Sequence, residues 1–153
     1  ESVETLGSTT VICTDKTGTV TRNEMTAREA IIPGQRFRTT GSGYEPGGAI
    51  LSAAGRPLND GERADLRPLL LASALCGDTR VEPVNGRWRC VGDPTEGALL
   101  VLARKGGVER QDMERRMPRL REFPFESARQ RMSTVPGITV RVLLVGVCHH
   151  SET

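Results

Sequence analysis

The segment from Thr9 to Cys13 (TTVIC) leads into an aspartate and narrows the choice of fold. Its β-branched and apolar composition predicts a buried strand, and Asp15 follows two residues after it. In α/β sheets the reactive side chains lie at the carboxyl ends of the strands. The segment therefore predicts the first strand of an α/β sheet that presents the carboxylate of Asp15.

The residues after Asp15 indicate phosphoryl chemistry. A carboxylate at a strand end can attack a γ-phosphate and form an aspartyl phosphate. Lys16 and the amides around Gly18 would stabilise the phosphoryl oxygens, and Thr17 would supply a hydroxyl donor. Phosphatases with an aspartate nucleophile commonly carry a second aspartate where this chain has Thr17, so the acyl phosphate should persist here. The alternative is a solvated turn capped by Asp15, which the complete string DKTGTVT disfavours.

The rest of the chain predicts strands and capped helices separated by turn signals. Predicted strands lie near residues 25–32, 35–40, 120–125, 132–135 and 138–147, with a further hairpin around Asn85 and Gly86. Predicted helices run from Glu62 to Leu75 after a cap at Asn59 or Asp60, from Pro94 after the cap Asp93 to Lys105, and over 111–117. Pro68 predicts a kink or a late start in the first of these helices. Residues 41–49 predict a glycine-rich surface loop.

Composition excludes several classes of protein. The formal net charge of +2 argues against a nucleic-acid binder that works by electrostatics. No apolar run approaches the roughly 18 residues of a membrane span. The four cysteines are widely spaced and form no CxxC pair, which favours buried reduced thiols over a zinc ribbon or a redox dithiol. Aromatic residues make up only 3%, so the core must be built mainly from aliphatic side chains.

Three segments in this order resemble the P-type ATPases, the cation pumps that cycle through an aspartyl phosphate. DKTGTVT is similar to their phosphorylation motif, and GDPTEGALL and FPFESARQRMS are similar to two of their nucleotide-binding motifs. The resemblance implies residues 1–24 as the start of a Rossmann-like phosphorylation domain and 25–147 as the nucleotide-binding domain, an antiparallel α+β sheet flanked by helices. Residues 148–153 are an atypical tail, which favours a truncated or frame-shifted terminus over a metal-binding CHH sequence. The wording GDPTEGAL is most similar to bacterial calcium-type pumps.

The resemblance also implies which residues contact ATP. Glu96 would accept a hydrogen bond from the adenine amino group, and Asp93 lies in the same motif. Independently of the family, Glu96 also fits the third position of a capping box with Asp93. Phe125 would stack on adenine, with a packed core aromatic as the alternative. Phe123 is expected to pack inward, unless the strand register exchanges the roles of the two rings.

The phosphate side of the site departs from the family pattern. A lysine of many pumps is replaced by Gln130, and the arginine of the calcium pumps is replaced by Ser127. Arg129 and Arg131 would then reach the phosphates or ribose, or remain solvated charges at a strand edge. The KGA motif that normally follows is also missing. These departures predict weakened ATP binding.

The resemblance implies ATP and Mg²⁺ as cofactors, with Asp15 and Thr17 as Mg²⁺ ligands in a complete pump. The partners would be the rest of the phosphorylation domain, the actuator domain and the membrane domain, at the cytoplasmic face of a membrane. This piece alone would be soluble, and it should not turn over ATP usefully because catalysis needs the remaining metal ligands. Two alternatives remain, which are a non-catalytic remnant with little nucleotide binding and an aspartate-nucleophile phosphatase, the latter disfavoured by Thr17.

Overall fold

The computed structural model describes residues 24–128, 131–137 and 143–145. Its strands are β1 (Glu29–Ile32), β2 (Gln35–Thr39), β3 (Ile50–Ser52), β4 (Arg80–Val84), β5 (Arg87–Val91), β6 (Arg119–Glu126), β7 (Arg131–Pro136) and β8 (Leu143–Val145). Its helices are α1 (Asp60–Leu75), α2 (Pro94–Lys105) and α3 (Arg110–Arg116). Within these residues the strands form three antiparallel sheets, with the orders β1-β2-β3, β4-β5 and β6-β7-β8. The predicted α+β class with antiparallel strands flanked by helices is confirmed.

The first sheet begins with a tight hairpin. Ile32 pairs with Gln35, so only two residues connect β1 to β2, and Gly34 at the turn adopts a positive φ of 78°. Strand β3 then pairs with β2 and places Ser52 opposite Phe37. The predicted strand at 35–40 is confirmed with one residue fewer, whereas only the second half of the predicted strand at 25–32 forms β1.

Helix α1 begins at a complete capping box. The Asn59 side chain accepts from the Glu62 amide at 2.9 Å, and the Glu62 carboxylate accepts from the Asn59 amide at 3.0 Å. Asn59, rather than Asp60, is therefore the cap. Pro68 lies inside the helix without ending it.

The main core lies between the first sheet and the helices α1 and α2. Its most buried members include Phe37, Leu66, Ala103 and Val108. A Cβ at Gly106, just after α2, would lie 2.3 Å from Cδ1 of Leu70, so a glycine lets the two helices approach closely. This core holds the C-terminal half of α2, through Leu102 and Ala103, against α1 and the first sheet.

A second, smaller cluster lies between α2 and the β4–β5 hairpin. The hairpin turns at Asn85 and Gly86, which both have positive φ angles, 50° and 75°, as the predicted type I′ turn requires. Residues 41–49 were predicted to form a surface loop, yet the Tyr44 ring within them is buried against Leu100 and Val101. The prediction is wrong for this side chain, because its large ring packs against these apolar side chains instead of facing solvent.

The third sheet contains the strands predicted near residues 120–125 and 132–135. Strand β7 pairs with β6 on one side and with β8 on the other. Strand β8 lies within the predicted strand 138–147, and the other residues of that range are outside the described residues. Helix α3 precedes β6 and ends at Arg116, as the following Pro118 predicts. None of the described helices combines the length and apolar character that crossing a membrane requires.

Candidate functional site

The first turn of α2 carries two of the predicted site residues. Asp93 caps the helix, and its Oδ1 accepts from the amides of Thr95 at 2.8 Å and Glu96 at 3.1 Å. Pro94 occupies the first helical position, where its missing N–H costs nothing. The predicted cap at Asp93 is confirmed, and it fixes the direction in which Glu96 leaves the helix.

The Glu96 side chain does not close a capping box with Asp93. Its Oε2 accepts instead from the amides of Asp78 at 3.0 Å and Thr79 at 3.1 Å, and from Oγ1 of Thr79 at 2.8 Å. The Asp93 amide donates to Thr79 Oγ1 at 2.8 Å. The capping-box interpretation of Glu96 is therefore wrong, because the loop after α1 supplies three donors to the carboxylate and an acceptor to the cap.

The two oxygens of the Glu96 carboxylate are in different states. Oε2 accepts three hydrogen bonds, whereas Oε1 receives none from any residue that the structure describes. The side chain is only half-buried. A carboxylate fixed through one oxygen keeps the other as an oriented acceptor, which is what recognition of an exocyclic amino group requires.

The loop that holds Glu96 depends on a glycine. A Cβ on Gly77 would lie 2.9 Å from both Cδ and Oε2 of Glu96, and the backbone there has a φ of 156°. Neither Gly77 nor Thr79 was among the predicted site residues. The signal available was the string Gly-Asp-Thr directly after a predicted helix, which is typical of a sharp change in chain direction.

Two arginines hold the opposite side of the same loop. Arg110 donates to the carbonyl oxygens of Gly77 at 2.6 Å and Thr79 at 3.0 Å. Arg119 donates to the same Gly77 oxygen at 2.8 Å and to the Asp78 carboxylate at 2.7 Å. Neither arginine was among the predicted site residues, because in a chain rich in arginine nothing local distinguishes them from solvated charges.

The predicted stacking residue lies on β6 and faces solvent. Phe125 is 54% exposed, and Phe123 is 36% exposed with the guanidinium of Arg121 at 4.7 Å from its ring centre. The prediction that Phe123 packs inward is wrong. The register between β6 and β7 shifts between Phe123 and Glu126, so simple alternation does not apply there.

Arg131 begins β7 directly opposite Glu126, one residue beyond Phe125, and it is exposed. The structure thus brings Phe125 and Arg131 to the same end of the β6–β7 hairpin. Arg129, Gln130 and the tail 148–153 lie outside the described residues.

The two groups of site residues are linked through the end of α1. Sγ of Cys76 lies 3.9 Å from the carbonyl oxygen of Met132 on β7, and Oγ1 of Thr134 donates to the Leu75 carbonyl at 3.4 Å. The next residue, Gly77, packs against Glu96. The α1 terminus therefore contacts the β6–β7 hairpin on one side and the anchored carboxylate on the other.

Comparison with known proteins identifies the family. The sequence model described as P-type ATPase, cytoplasmic domain N, matches residues 65–145, which is more than half of the chain. The chain belongs to the P-type ATPases. The calcium-transporting ATPase of Bacillus subtilis strain 168 is 42% identical over 134 residues, which cover 88% of this chain and 15% of the relative. The probable cation-transporting ATPase F of Mycobacterium tuberculosis H37Rv is 44% identical with the same coverage.

The cation-transporting ATPase pma1 of Synechocystis is 41% identical over 138 residues. The match covers 88% of this chain and 15% of that relative. This P-type ATPase chain thus spans about 15% of the length of these curated relatives. The family match includes Glu96, Phe125 and the two arginines that hold the 77–79 loop.

Asp15, Lys16 and Thr17, the predicted phosphorylation loop and Mg²⁺ ligands of the P-type ATPase motif, lie outside the described residues. Within residues 24–128, 131–137 and 143–145 no group of three or more His, Cys, Asp or Glu side chains is arranged to hold a metal ion. The described residues offer a hydrogen-bond acceptor at Oε1 of Glu96 and an exposed aromatic ring at Phe125.

Proposed function

We propose that this chain is the ATP-binding domain, with the phosphorylation loop, of a P-type cation-transporting ATPase. The observation that carries the proposal is the Glu96 carboxylate, whose Oε2 is fixed by three donors while Oε1 is left as an acceptor. A site of this kind selects a base by the polar group that the base presents, since a base without a matching donor leaves Oε1 of Glu96 unpaired.

Adenine recognition in this proposal has two parts. Oε1 of Glu96 accepts from the exocyclic amino group, and the exposed ring of Phe125 stacks on the base, a contact worth roughly 1 to 3 kcal/mol. The contact between Cys76 and Met132 supports a shared site. It joins the end of α1, whose next residue packs against Glu96, to β7, which pairs with the strand that carries Phe125. With Gln130 in place of a lysine, we expect affinity only near the millimolar range, about 4 kcal/mol.

The phosphates extend from the adenine toward the end of the β6–β7 hairpin in this proposal. Arg131 begins β7 there with an exposed side chain, and Arg129 precedes it by two residues. Each supplies a guanidinium, which binds phosphate oxygens in a bidentate manner. These two charges would replace in part the lysine that Gln130 removes.

The chemical step belongs to the whole pump. Asp15 would attack the γ-phosphate of ATP, Lys16 and Thr17 would stabilise its oxygens, and bound Mg²⁺ would neutralise charge between Asp15 and the phosphate. The transported ion is proposed to be Ca²⁺, from the GDPTEGAL wording and the printed names of calcium-transporting relatives. The partners are the remaining phosphorylation, actuator and membrane domains, with this domain on the cytoplasmic side.

A second candidate is a remnant that folds but no longer binds nucleotide. One observation favours it, namely the substitution of the nucleotide-binding lysine by Gln130. The two candidates make opposite predictions for ATP binding and for no other simple property, so a titration separates them.

The test is a titration of the purified chain with ATP, AMP and GTP, followed by amide resonances. We expect saturable shifts with ATP and AMP and much weaker ones with GTP, because adenine carries the recognised amino group. Phe125→Ala should weaken ATP binding about 5- to 100-fold, the equivalent of one stacking contact. Phe123→Ala is the matched control, since it removes a neighbouring exposed ring from the same strand.

Two results would contradict the proposal. A folded chain without shifts at about 10 mM ATP, well above the expected dissociation constant, would favour the remnant. Equal losses in the Phe125 and Phe123 variants would mean that neither ring is the specific stacking platform.

A further inference from the structure

The loop from Gly77 to Thr79 is held from both sides by side chains distant in sequence. On the amide side, Oε2 of Glu96 accepts from Asp78 and Thr79. On the carbonyl side, Arg110 and Arg119 donate to the oxygens of Gly77 and Thr79. The loop therefore lies between one carboxylate and two guanidinium groups.

The two arginines are unlike ordinary surface charges. Their side chains are only 17% and 26% exposed, for Arg110 and Arg119 respectively. Their guanidinium nitrogens bond to backbone oxygens, so the bonds fix a stretch of chain rather than a mobile side chain. Charge-assisted bonds of this kind are shorter and stronger than neutral ones.

Arg119 also connects the loop to the strand of the proposed stacking residue. It lies at the start of β6, the strand that carries Phe125. Its Nη1 donates to Asp78 at 2.7 Å and to Glu122 at 2.6 Å, and its Nη2 donates to the Leu75 carbonyl at 3.2 Å. One guanidinium thus ties β6 to the end of α1 and to the loop that orients Glu96.

We propose that Arg119, assisted by Arg110, is a positioning residue that orients the Glu96 carboxylate and thereby sets the preference for adenine over hypoxanthine. The inference rests on the proposed function, since it concerns the specificity of the same site. The Glu96 carboxylate is fixed only through Oε2, so its free oxygen points where the loop directs it. Displacing the loop turns Oε1 away from the amino group without removing any group that touches the base.

Inosine triphosphate is the probe that isolates this effect. It carries a carbonyl oxygen where ATP carries the amino group, so it gains nothing from Oε1 of Glu96. The ratio of ITP to ATP dissociation constants therefore measures the orientation of that oxygen, whereas a general loosening of the domain weakens both nucleotides together. We expect Arg119→Gln to reduce this ratio by about threefold to tenfold. Arg110→Gln should reduce it less.

Three further variants complete the design. Arg115→Gln is the matched control, because Arg115 is 74% exposed and its ion pair with Asp112 stays within α3. Glu96→Gln keeps a carbonyl oxygen for the loop amides and replaces the free oxygen by an NH₂ donor, so it should abolish the preference for ATP. In that background Arg119→Gln should change the ratio no further. Arg119→Lys keeps the positive charge but lacks the planar guanidinium that donates to several acceptors at once. It replaces Arg119→Gln in the experiment if that variant does not fold.

A measurement without nucleotide provides an independent readout. The amide protons of Asp78 and Thr79 bond to a carboxylate, so their resonances report its position directly. We expect both to shift in the Arg119 variants and to stay unchanged in Arg115→Gln.

The outcomes separate the two proposals. If the wild-type chain prefers ATP and Arg119→Gln leaves both that preference and the two amide resonances unchanged, the inference is overturned and the proposed function stands. Independent, multiplying effects of Glu96→Gln and Arg119→Gln on the ratio would also overturn it. A wild-type chain that binds neither nucleotide removes the proposed function and this inference together.

Discussion

Phe37 and Phe125 are two of only three phenylalanines in the chain, and they lie in opposite surroundings. Phe37, on β2, is 1% exposed in the core between the first sheet and helices α1 and α2. Phe125, on β6, is 54% exposed near the end of the β6–β7 hairpin. The same side chain thus serves as the centre of a core in one region and as a solvent-facing ring in the other.

The difference shows where this chain uses its scarce aromatic residues. An aromatic side chain normally contributes most to stability when it is buried, and few other aromatic residues are available in this chain to fill a core. Leaving Phe125 exposed therefore forgoes stability, whereas a ring that stacks on a ligand must be exposed in the free protein. The contrast supports a structural role for Phe37 and a binding role for Phe125.

The largest expected effect comes from emptying the buried position. Phe37→Ala should lower the free energy of unfolding by about 3 to 5 kcal/mol, because a large cavity forms in the main core. Urea unfolding followed by circular dichroism measures the change. If this variant does not fold, Phe37→Leu should still fold with a loss of about 1.5 kcal/mol or less.

Phe125→Ala is the matched comparison on the other strand. We expect its free energy of unfolding to stay within about 0.5 kcal/mol of the wild type, since exposed substitutions rarely do more. A loss as large as that of Phe37→Ala would break the comparison, because it would make Phe125 a core residue.

The small cluster around Tyr44 predicts an intermediate effect at a glycine of α2. A Cβ at Gly97 would lie 2.5 Å from Sγ of Cys90 and 3.0 Å from Cε1 of Tyr44. Gly97→Ala should therefore destabilise the fold by about 1 to 3 kcal/mol despite its better helix propensity. Removing Sγ in the double variant with Cys90→Ala should recover part of the loss in the same urea experiment, and no recovery would contradict the packing argument.

Local signals in the sequence predicted most of the secondary structure. The cap at Asn59, the Asp93-Pro94 pair and the Asn85-Gly86 turn each depend on residues a few positions apart, so their physics is visible without the fold. The resemblance to the family rested on the three motifs, and the α+β class with an antiparallel sheet was what that resemblance implied. The helix bounds agree to within two residues because caps fix where a helix can start, whereas β3, which has no turn signal of its own, was not predicted.

The geometry of the site could not be predicted in the same way. Glu96 bonds to Thr79, 17 residues earlier, and Arg119 reaches Gly77 across 42 residues. Such contacts exist only after the helices pack, and a local rule assigned Glu96 to a capping box instead. Phe123 was misassigned because an irregular register on β6 breaks the alternation on which the prediction depended.

A smaller effect on the free energy of unfolding is expected at the cap of α1, the helix that packs against the core around Phe37. Asn59→Ala should cost about 1 kcal/mol, because it removes the acceptor for the Glu62 amide. The Asn59 amide and Arg56 hold the pKa of Glu62 below its ordinary value, so the stability from this carboxylate is lost as the pH falls through its folded-state pKa. Urea midpoints of Asn59→Ala and of Arg67→Ala, an exposed mid-helix control, test the cap. Equal losses in both would contradict it.

The smallest effect concerns the thiol of Cys90, beside the small cluster. Burial raises the pKa of Cys90 above its ordinary value of 9.0, and the nearby carboxylates of Asp93 and Glu96 act in the same direction. The unfolded chain therefore loses this proton first. The stability that the neutral thiol contributes is complete below about pH 9 and is lost as the pH rises through the folded-state pKa. Burial raises the pKa of Tyr44 as well, so its contribution changes in the same sense.

Cys90→Ala isolates the thiol from the other groups that titrate at alkaline pH. Burial lowers the pKa of Lys105, so that lysine makes the fold more stable as the pH rises and partly masks the losses in the wild type. We expect the stability difference between wild type and Cys90→Ala to shrink from about pH 8 to about pH 10. Cys90 should also react with iodoacetamide more slowly in the folded chain than in urea at about pH 8, because only the thiolate reacts. Faster reaction in the folded chain would mean an activated thiol. Cys90 would then behave like an exposed group, as Phe125 does, and not like a packed core residue such as Phe37.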